Sequence, residues 1–322
     1  MWFFVCKGDL MRKIAIFNQK GGVGKTTTAV NLAAGLSRNG KNVIVIDLDP
    51  QGDIEVCHDV KAKKSLSEIL LNEAELKEAI TNLGKNLDII HSNSRLADAE
   101  ESMMEKREKI DILEKKFTPG LDYDYVIIDC PPSLRFLNQS AMFYAKEIMI
   151  PCSTDVLGYD ALQKTISFVQ LFNKKHSRNV IVSSIIPTMY DKRSKICKFY
   201  LEKMRHEFTP LLVSDPVRAN SKLKEAPRKK KSIFAYASKS TGAEDYWKLV
   251  KWTLENEHMF DSRFTQEQRK KAMKEYFVDG KKRELMIVGN KIIFGFKFLT
   301  NLGEIAKEHL EAHKQKSMAK GL

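Results

Sequence analysis

Cysteine pairs at metal-binding spacing are missing from this sequence. Its five cysteines, Cys6, Cys57, Cys130, Cys152 and Cys197, contain no C-x-x-C pair, and only two of its seven histidines, His309 and His313, stand at H-x-x-x-H spacing, with no cysteine near them. That argues against the usual cysteine-based zinc and iron–sulfur frameworks and leaves the thiols reading as reduced and cytosolic. No apolar run approaches the roughly 18–20 residues of a membrane span, so the chain is expected to be soluble. Trp2-Phe3-Phe4-Val5 is accompanied by no basic leader, no apolar core of sufficient length and no small-residue cleavage site, which argues against a signal peptide. Because Met11-Arg12-Lys13 leads directly into an apolar run, residues 1–10 are expected to be a disordered extension or to reflect an alternative start. No internal repeat is visible.

What the chain does have is size and positive charge. Its 322 residues, 43% hydrophobic and 30% charged, are enough for one large α/β domain with an accessory segment, or for two domains. The formal net charge of +13 suggests an anionic partner, for which nucleic acid is the usual candidate; the distribution of charge has to carry that inference.

The most specific element is Lys20-Gly21-Gly22-Val23-Gly24-Lys25-Thr26-Thr27. It follows the apolar run Ile14-Ala15-Ile16-Phe17 and opens a helical stretch from about Thr26 to Arg38, which Asn39-Gly40 terminates. Strand, glycine-rich loop and helix in that order make a phosphate cradle. Backbone N–H groups converge on one concavity, glycines allow close approach, and a lysine meets the charge. The ordinary pattern is G-x-x-x-x-G-K-[ST], but Gln19 stands where its first glycine belongs, and a second lysine, Lys20, sits one residue later.

Two more apolar runs end in carboxylates. Val43-Ile44-Val45-Ile46 delivers Asp47-Leu48-Asp49-Pro50-Gln51-Gly52, and Tyr125-Val126-Ile127-Ile128 delivers Asp129-Cys130-Pro131-Pro132. Buried parallel strands read this way, and open α/β sheets place ligands at the carboxyl ends of such strands. Further strands are expected at Leu87–Ile90, Ile148–Ile150 and Val180–Val182. Helices are expected over Ser65 to about Ala79, Ala97 to Phe117 and Asp160 to Asn173. The alternation predicts an α/β, doubly wound, mostly parallel sheet with helices on both faces. Cys130 reads as a small residue packed beside the nucleotide rather than a nucleophile, and the expected metal is oxygen-bound magnesium. After about Glu255 the rhythm changes. Helix-like Thr265–Tyr276, apolar runs at Leu285–Val288 and Ile292–Phe298 around Gly289-Asn290, and helix-like Leu302–His313 suggest a small α/β appendage containing a hairpin.

Taken together, K-G-G-V-G-K-T-T, D-L-D-P-Q-G and Y-V-I-I-D-C-P-P resemble the three nucleotide-site motifs of the ParA/Soj-type partition ATPases, the deviant phosphate-loop group that also contains MinD. The resemblance continues through Leu96–Glu100, Thr188–Arg193, Leu223–Pro227 and Thr241–Ala243, covering about Met11 to Asn256. The implied organisation is an ATPase domain over 11–256 and an appendage of unassigned role over 257–322. It further implies that ATP and Mg²⁺ assemble two subunits face to face. Gly21, Gly22, Val23, Gly24, Lys25, Thr26 and Thr27 would bind ATP or ADP. Lys25 would meet the β- and γ-phosphates, Lys20 would reach the partner's phosphates, and Asp49 would position the attacking water. Thr26 and, through a coordinated water, Asp129 would hold the metal. Asp47 is open between helping the metal shell and capping its strand, and Pro131-Pro132-Ser133-Leu134 occupies the second switch region.

Arg218, Lys222, Lys224, Arg228, Lys229, Lys230 and Lys231 resemble the family's DNA-contacting surface. The match departs from the pattern in two ways: the family commonly has a small or glycine-containing turn where Arg228–Lys231 stand, and Ala219 replaces a frequent arginine. Phosphate contacts of this kind bind duplex DNA without regard to sequence and weaken with salt. The implied function is a cytoplasmic, nucleoid-associated partition ATPase whose dimer grips DNA until a ParB-type partner stimulates hydrolysis, with plasmid or chromosome as cargo. One alternative is a MinD-like membrane-cycling regulator. Residues 302–313 interleave Glu304, Lys307, Glu308 and Glu311 and lack aromatics, so stable membrane association is not expected. A positioning ATPase for another cargo is the other alternative.

Overall fold

The computed structural model describes residues 11–52, 54, 63–208 and 212–257, together with strand residues 287, 288, 291 and 292. Residues 1–10, Cys6, Cys57 and the expected helices over 265–276 and 302–313 lie outside the described residues.

Strand β1 (Arg12–Ile16) leads to helix α1 (Lys25–Arg38) and strand β2 (Val43–Asp47). Short helices α2 (Leu66–Leu70) and α3 (Leu76–Ala79) precede β3 (Ile80–Gly84) and β4 (Leu87–Ile90). Helices α4 (Arg95–Glu105) and α5 (Ile112–Phe117), β5 (Tyr125–Asp129), α6 (Phe136–Ala145), β6 (Glu147–Ser153), α7 (Val156–His176) and β7 (Ile181–Thr188) follow. Helices α8 (Lys195–Glu207), α9 (Ser221–Arg228), α10 (Ile233–Tyr236) and α11 (Thr241–Glu255) complete this part.

The seven strands lie in the order β3-β4-β2-β5-β1-β6-β7, parallel except for β3 against β4. Every residue of β2 and β5 is buried, as continuous apolar strands covered on both faces require. The chain leaves β1 for one side of the sheet through β2 and later returns to its other side through β6. The crevice beyond the carboxyl end of β1 is therefore the topological switch point where such sheets bind ligands. Register brings Asp129 beside Ile16 on one flank and beside Asp47 on the other, so the acidic strand ends meet there.

Helix α1 packs on α11 through a close approach. A Cβ added to Gly35 would lie 2.3 Å from Val250 Cγ2 and 3.1 Å from Phe234 Cε2, a separation only glycine permits. Leu32, Leu36, Ile233, Tyr246 and Leu249 fill the surrounding core. At the opposite end of the strands from the phosphate loop, fully buried Arg12 donates to both oxygens of Glu147, at 2.8 and 3.0 Å, and to the Thr253 carbonyl at 2.7 Å. That fork joins β1, β6 and α11. Nearby, Glu257 accepts from Lys41 Nζ at 3.1 Å and from the Tyr125 hydroxyl.

Several expected boundaries move. The helix expected over Ser65–Ala79 is two helices, because Ser65/Glu68 and Glu75/Glu78 form separate capping boxes and Asn72 turns left-handed between them, with φ 61°. The segment expected over Ala97–Phe117 breaks likewise at Arg107, with φ 52°. Helix α7 starts at Val156, before the expected Asp160, since the Asp155 carboxylate caps it by accepting from Gly158 N at 2.7 Å. Strand β7 runs past the expected Val182 to Thr188, carrying Pro187 in the edge position where a missing N–H is tolerated. Strand β3 is an addition to the expected set: its polar Ile-Thr-Asn-Leu-Gly sequence pairs only at the sheet's other edge.

The chain divides into two compact units, Met1–Met273 and Lys274–Leu322. In the second, strands β8 (Ile287–Val288) and β9 (Lys291–Ile292) pair antiparallel around Gly289-Asn290, as the turn signal predicts, but over two residues each.

Candidate functional site

The loop between β1 and α1 is anchored by a residue that the motif does not name. Asn18 is fully buried; its Nδ2 donates to the Pro151 carbonyl at 2.7 Å and its Oδ1 accepts from Lys20 N at 2.9 Å. Gly22 and Gly24 have φ of 71° and 90°, left-handed conformations in which a side chain would be strained. The loop ends at the N-terminus of a 14-residue helix with no acidic residue in its first turn, so the positive end of the dipole is left for an anion.

Lys25, the first residue of α1, is 7% exposed, and its Nζ donates to the Lys20 carbonyl at 3.1 Å. Burial pulls its pKa below the ordinary lysine value, against the attraction of Asp129, Cys130 and Asp49. A desolvated ammonium at the mouth of an amide-lined loop suits a polyphosphate, and Thr26 and Thr27 stand half-buried in the same helical turn. For a metal, the oxygen donors at hand are the Thr26 hydroxyl, Asp49 and Asp129. Among the described residues no group of three His, Cys, Asp or Glu side chains could hold a metal. That suits Mg²⁺, which takes few protein ligands beside substrate phosphates and water.

The two carboxylates after β2 differ in environment. Asp47 is fully buried and accepts from the amides of Asp49, at 2.9 Å, and Ile54, at 3.4 Å, so it caps the turn that follows the strand. Burial and then the neighbouring Asp129 push its pKa well above the usual carboxylate range. Asp49 is half-buried, and its Oδ1 accepts from Gln51 N at 3.0 Å. The Pro131–Leu134 loop is tied down by Asn138 of α6, whose Nδ2 donates to the carbonyls of Pro131, at 2.9 Å, and Ser133, at 2.6 Å. Cys130 is buried, and that burial raises its thiol pKa well above normal, in keeping with a packing role.

Lys20 is held within its own chain. Its Nζ donates to Ser153 Oγ at 3.2 Å and pairs with Asp155 Oδ1 at 3.1 Å, where the lysine and aspartate side chains are 28% and 45% exposed. Asp155 thus serves Lys20, the first turn of α7 and the Ser153 side chain. A Cβ at Gly158 would lie 2.1 Å from the Ser153 carbonyl, so this turn can close on β6 only with glycine there. Asn18, Ser153 and Asp155 fall outside the site expected from sequence, since nothing local marks them.

The basic stretch separates into two groups. Arg218 forks onto the buried Asp245, through Nε at 2.9 Å and Nη2 at 2.6 Å, and reaches Glu244 at 2.7 Å. Lys222 pairs with Glu225 at 2.8 Å, and Glu225 also accepts from the Tyr236 hydroxyl at 2.6 Å. Lys224, Arg228, Lys229, Lys230 and Lys231 are exposed along α9 and the turn after it. Arg218 and Lys222 are engaged within the protein. Among the described residues no helix is long and apolar enough to cross a membrane.

Comparison with known proteins agrees with this geometry. A family model described as "AAA domain" matches residues 11–182. The chain is 33% identical over 257 residues to the sporulation initiation inhibitor protein Soj of Bacillus subtilis, covering 76% of this chain and 98% of that protein. It is 33% identical over 244 residues to the chromosome partitioning protein ParA of Myxococcus xanthus, covering 74% and 86%. Among solved structures, cobyrinic acid a,c-diamide synthase from Mycobacterium smegmatis, with bound ATP analog and magnesium, superposes with a TM-score of 0.65 at 26% identity, covering 76% of this chain and 95% of that one.

Proposed function

The chain belongs to the ParA/Soj family of partition ATPases, and we propose that it works as a nucleotide-gated clamp on DNA. In this reading the loop amides of Gly21–Thr27 and the Lys25 ammonium hold the phosphates of ATP. The Thr26 hydroxyl and Asp129 hold Mg²⁺, and Asp49 orients the attacking water. Bound Mg²⁺ supplies neutralisation of phosphate charge. Lys25 is poised for its part because its ammonium is already desolvated beside Asp129 and Asp49, so a polyanion gains more there than in water.

The observation that carries the proposal is the position of Lys20. Its ammonium is partly buried against Ser153 and Asp155 rather than in its own loop. A lysine so placed can leave Asp155 for the phosphates of a second copy, so that nucleotide binding and dimerisation favour each other. Lys224 and Arg228–Lys231 then supply sequence-independent contacts to duplex DNA, with Arg218 bracing the lead into α9 from within. A ParB-type partner that stimulates turnover would end the grip, and plasmid or chromosome is the cargo this implies.

The test is binding of random-sequence duplex by fluorescence anisotropy, with and without ATP and Mg²⁺, across a salt series. Salt-sensitive binding that needs ATP and disappears in Lys20→Ala is expected. Binding equally strong without nucleotide and indifferent to Lys20→Ala would remove the coupling between ATP and DNA.

A further inference from the structure

Thr188 closes β7 at the point where three parts of the site meet. It is 3% exposed, and its Oγ1 donates to the Val23 carbonyl of the phosphate loop at 2.9 Å. A Cβ at Gly24 would come within 3.9 Å of its Cγ2, so the methyl side of Thr188 also faces the loop. In the other direction, the Thr188 carbonyl accepts from Thr154 N at 3.1 Å and from Thr154 Oγ1 at 3.3 Å. Thr154 stands between Ser153 and Asp155, the two residues that hold Lys20. One threonine therefore fixes the loop that carries Lys25 and the shelf on which Lys20 rests.

The chain beyond Thr188 is equally constrained. Met189 is left-handed, with φ 54°, an uncommon conformation for a residue with a side chain. It turns Tyr190 into a short parallel ladder with the segment ahead of α9: Tyr190 N donates to the Val217 carbonyl at 3.1 Å, and Ala219 N donates to the Tyr190 carbonyl at 3.0 Å. Val217 N in turn donates to the Pro187 carbonyl at 2.8 Å. Arg218, between those rungs, is forked onto Asp245, and Asn220 caps the basic helix by accepting from Lys222 N at 2.8 Å. From the Val23 carbonyl to the cap of α9 the path runs through the Thr188 hydroxyl, the backbone of residues 188–190, the Val217 and Ala219 hydrogen bonds and Asn220.

We propose that Thr188 is a positioning residue for the ATPase reaction: its hydroxyl orients the Val23–Gly24 peptide toward phosphate, and the Met189–Tyr190 ladder carries the state of that peptide to the start of α9. The mechanism is one of peptide orientation. For the Gly24 N–H to face into the loop, the carbonyl of the same peptide, that of Val23, faces out, where it is buried and needs a donor. Thr188 Oγ1 is that donor. Without it the peptide can rotate, and a loop that must be ordered by the ligand binds it less tightly.

The proposal rests on the phosphate-loop reading above, and its test separates the two. Affinity for a fluorescent ADP analogue with Mg²⁺ is measured for the wild type, Thr188→Val, which keeps the shape and loses the donor, and Thr188→Ser, which keeps the donor. The expected result is a dissociation constant raised about 5–10-fold in Thr188→Val and restored to within about twofold in Thr188→Ser. Steady-state kinetics should show KM rising with kcat little changed, a split that a general loss of folded protein does not produce. Amide hydrogen exchange on the wild type supplies an arm that no folding defect can touch: Mg-ADP should slow exchange at the Tyr190 and Ala219 amides as well as in the loop. A wild type that binds no nucleotide would sink the ATPase reading itself. Nucleotide binding with Thr188→Val unaffected, or with protection that stops at the loop, would overturn the role of Thr188 alone.

Discussion

Replacing Asp155 with asparagine should strengthen dimerisation. In the monomer each Lys20 ammonium sits 3.1 Å from Asp155 Oδ1 in a pair whose side chains are 28% and 45% exposed. Exposed pairs of this kind contribute about 0.2–1 kcal/mol, and a dimer in which both lysines cross over must break two of them. Asp155→Asn removes the charge and keeps an oxygen for Gly158 N, so the cap of α7 persists. The released energy, about 0.4–2 kcal/mol per dimer, corresponds to a dissociation constant roughly 2- to 30-fold tighter. Sedimentation velocity with a non-hydrolysable ATP analogue and Mg²⁺ measures it directly. The gain should shrink toward 1 M salt, where the screening length falls to about 3 Å. Burial acts to raise the Asp155 pKa, but the hydrogen bonds from Ser153, Gly158 and Lys20 together lower it below the ordinary value. A depressed carboxylate keeps its pairing above the unfolded pKa and loses it only as pH falls below that range, so the effect should be the same at pH 6.5 and pH 8. An unchanged or weaker dimer, with thermal stability intact, would refute the view that Asp155 restrains Lys20.

Other outcomes follow from the same geometry. Lys25→Met should raise the melting temperature of the nucleotide-free protein at pH 7, by about 2–4 °C per kcal/mol relieved, and abolish the further rise on adding Mg-ADP. Because burial lowers the Lys25 pKa, its charge costs stability below the folded pKa and the cost fades as pH rises toward the unfolded one. The gap between variant and wild type in differential scanning fluorimetry should therefore narrow at pH 10. Arg218→Ala should cost about 1–3 kcal/mol in urea melts, because buried Asp245 loses its cation and keeps the backbone N–H of residue 218. Alanine at Lys224, Lys229 and Lys231 should leave stability alone and reduce the salt slope of DNA binding by about 0.9 for each phosphate that is no longer neutralised. Native alkylation at pH 7.5, read site by site by mass spectrometry, should modify Cys197 well before Cys130 or Cys152. Burial pushes the Cys152 thiol up to about 12 and Cys130 well above normal, whereas at Cys197 hydrogen bonds from Thr154, Asp191 and Ser194 outweigh burial and lower it.

The centre of the sheet is legible in the sequence because its signal is local. Val43–Asp47 and Tyr125–Asp129 are unbroken apolar runs ending in acid, and such runs have few alternatives to a doubly covered parallel strand. The edges are harder to read. Strand β3 is polar and finds its partner only across the turn at Asn86, while β7 hides half its length behind Ser183, Ser184 and Pro187, residues that suggest a loop until burial between layers is known. The phosphate loop shows itself through glycine spacing. Asp155 does not, lying 135 residues from the lysine it holds. Arg218 stands out by its charge, and only the fold brings in Asp245, 27 residues away, to engage it. Charge in a sequence counts cations, whereas a binding surface depends on which of them remain uncommitted.

The anchoring of Glu257 has a practical consequence for anyone attaching something to this protein. Lys41 and Tyr125 fasten that residue at the amino-terminal end of the central strands, while the phosphate loop and the segments after Asp47 and Asp129 lie beyond the carboxyl ends. Five residues of strand, at about 3.3 Å each, put roughly 16 Å of sheet between the two ends. A reporter introduced just after residue 257 therefore starts on the side of the domain away from the phosphate loop, and it would not stand between two copies in the face-to-face dimer proposed above.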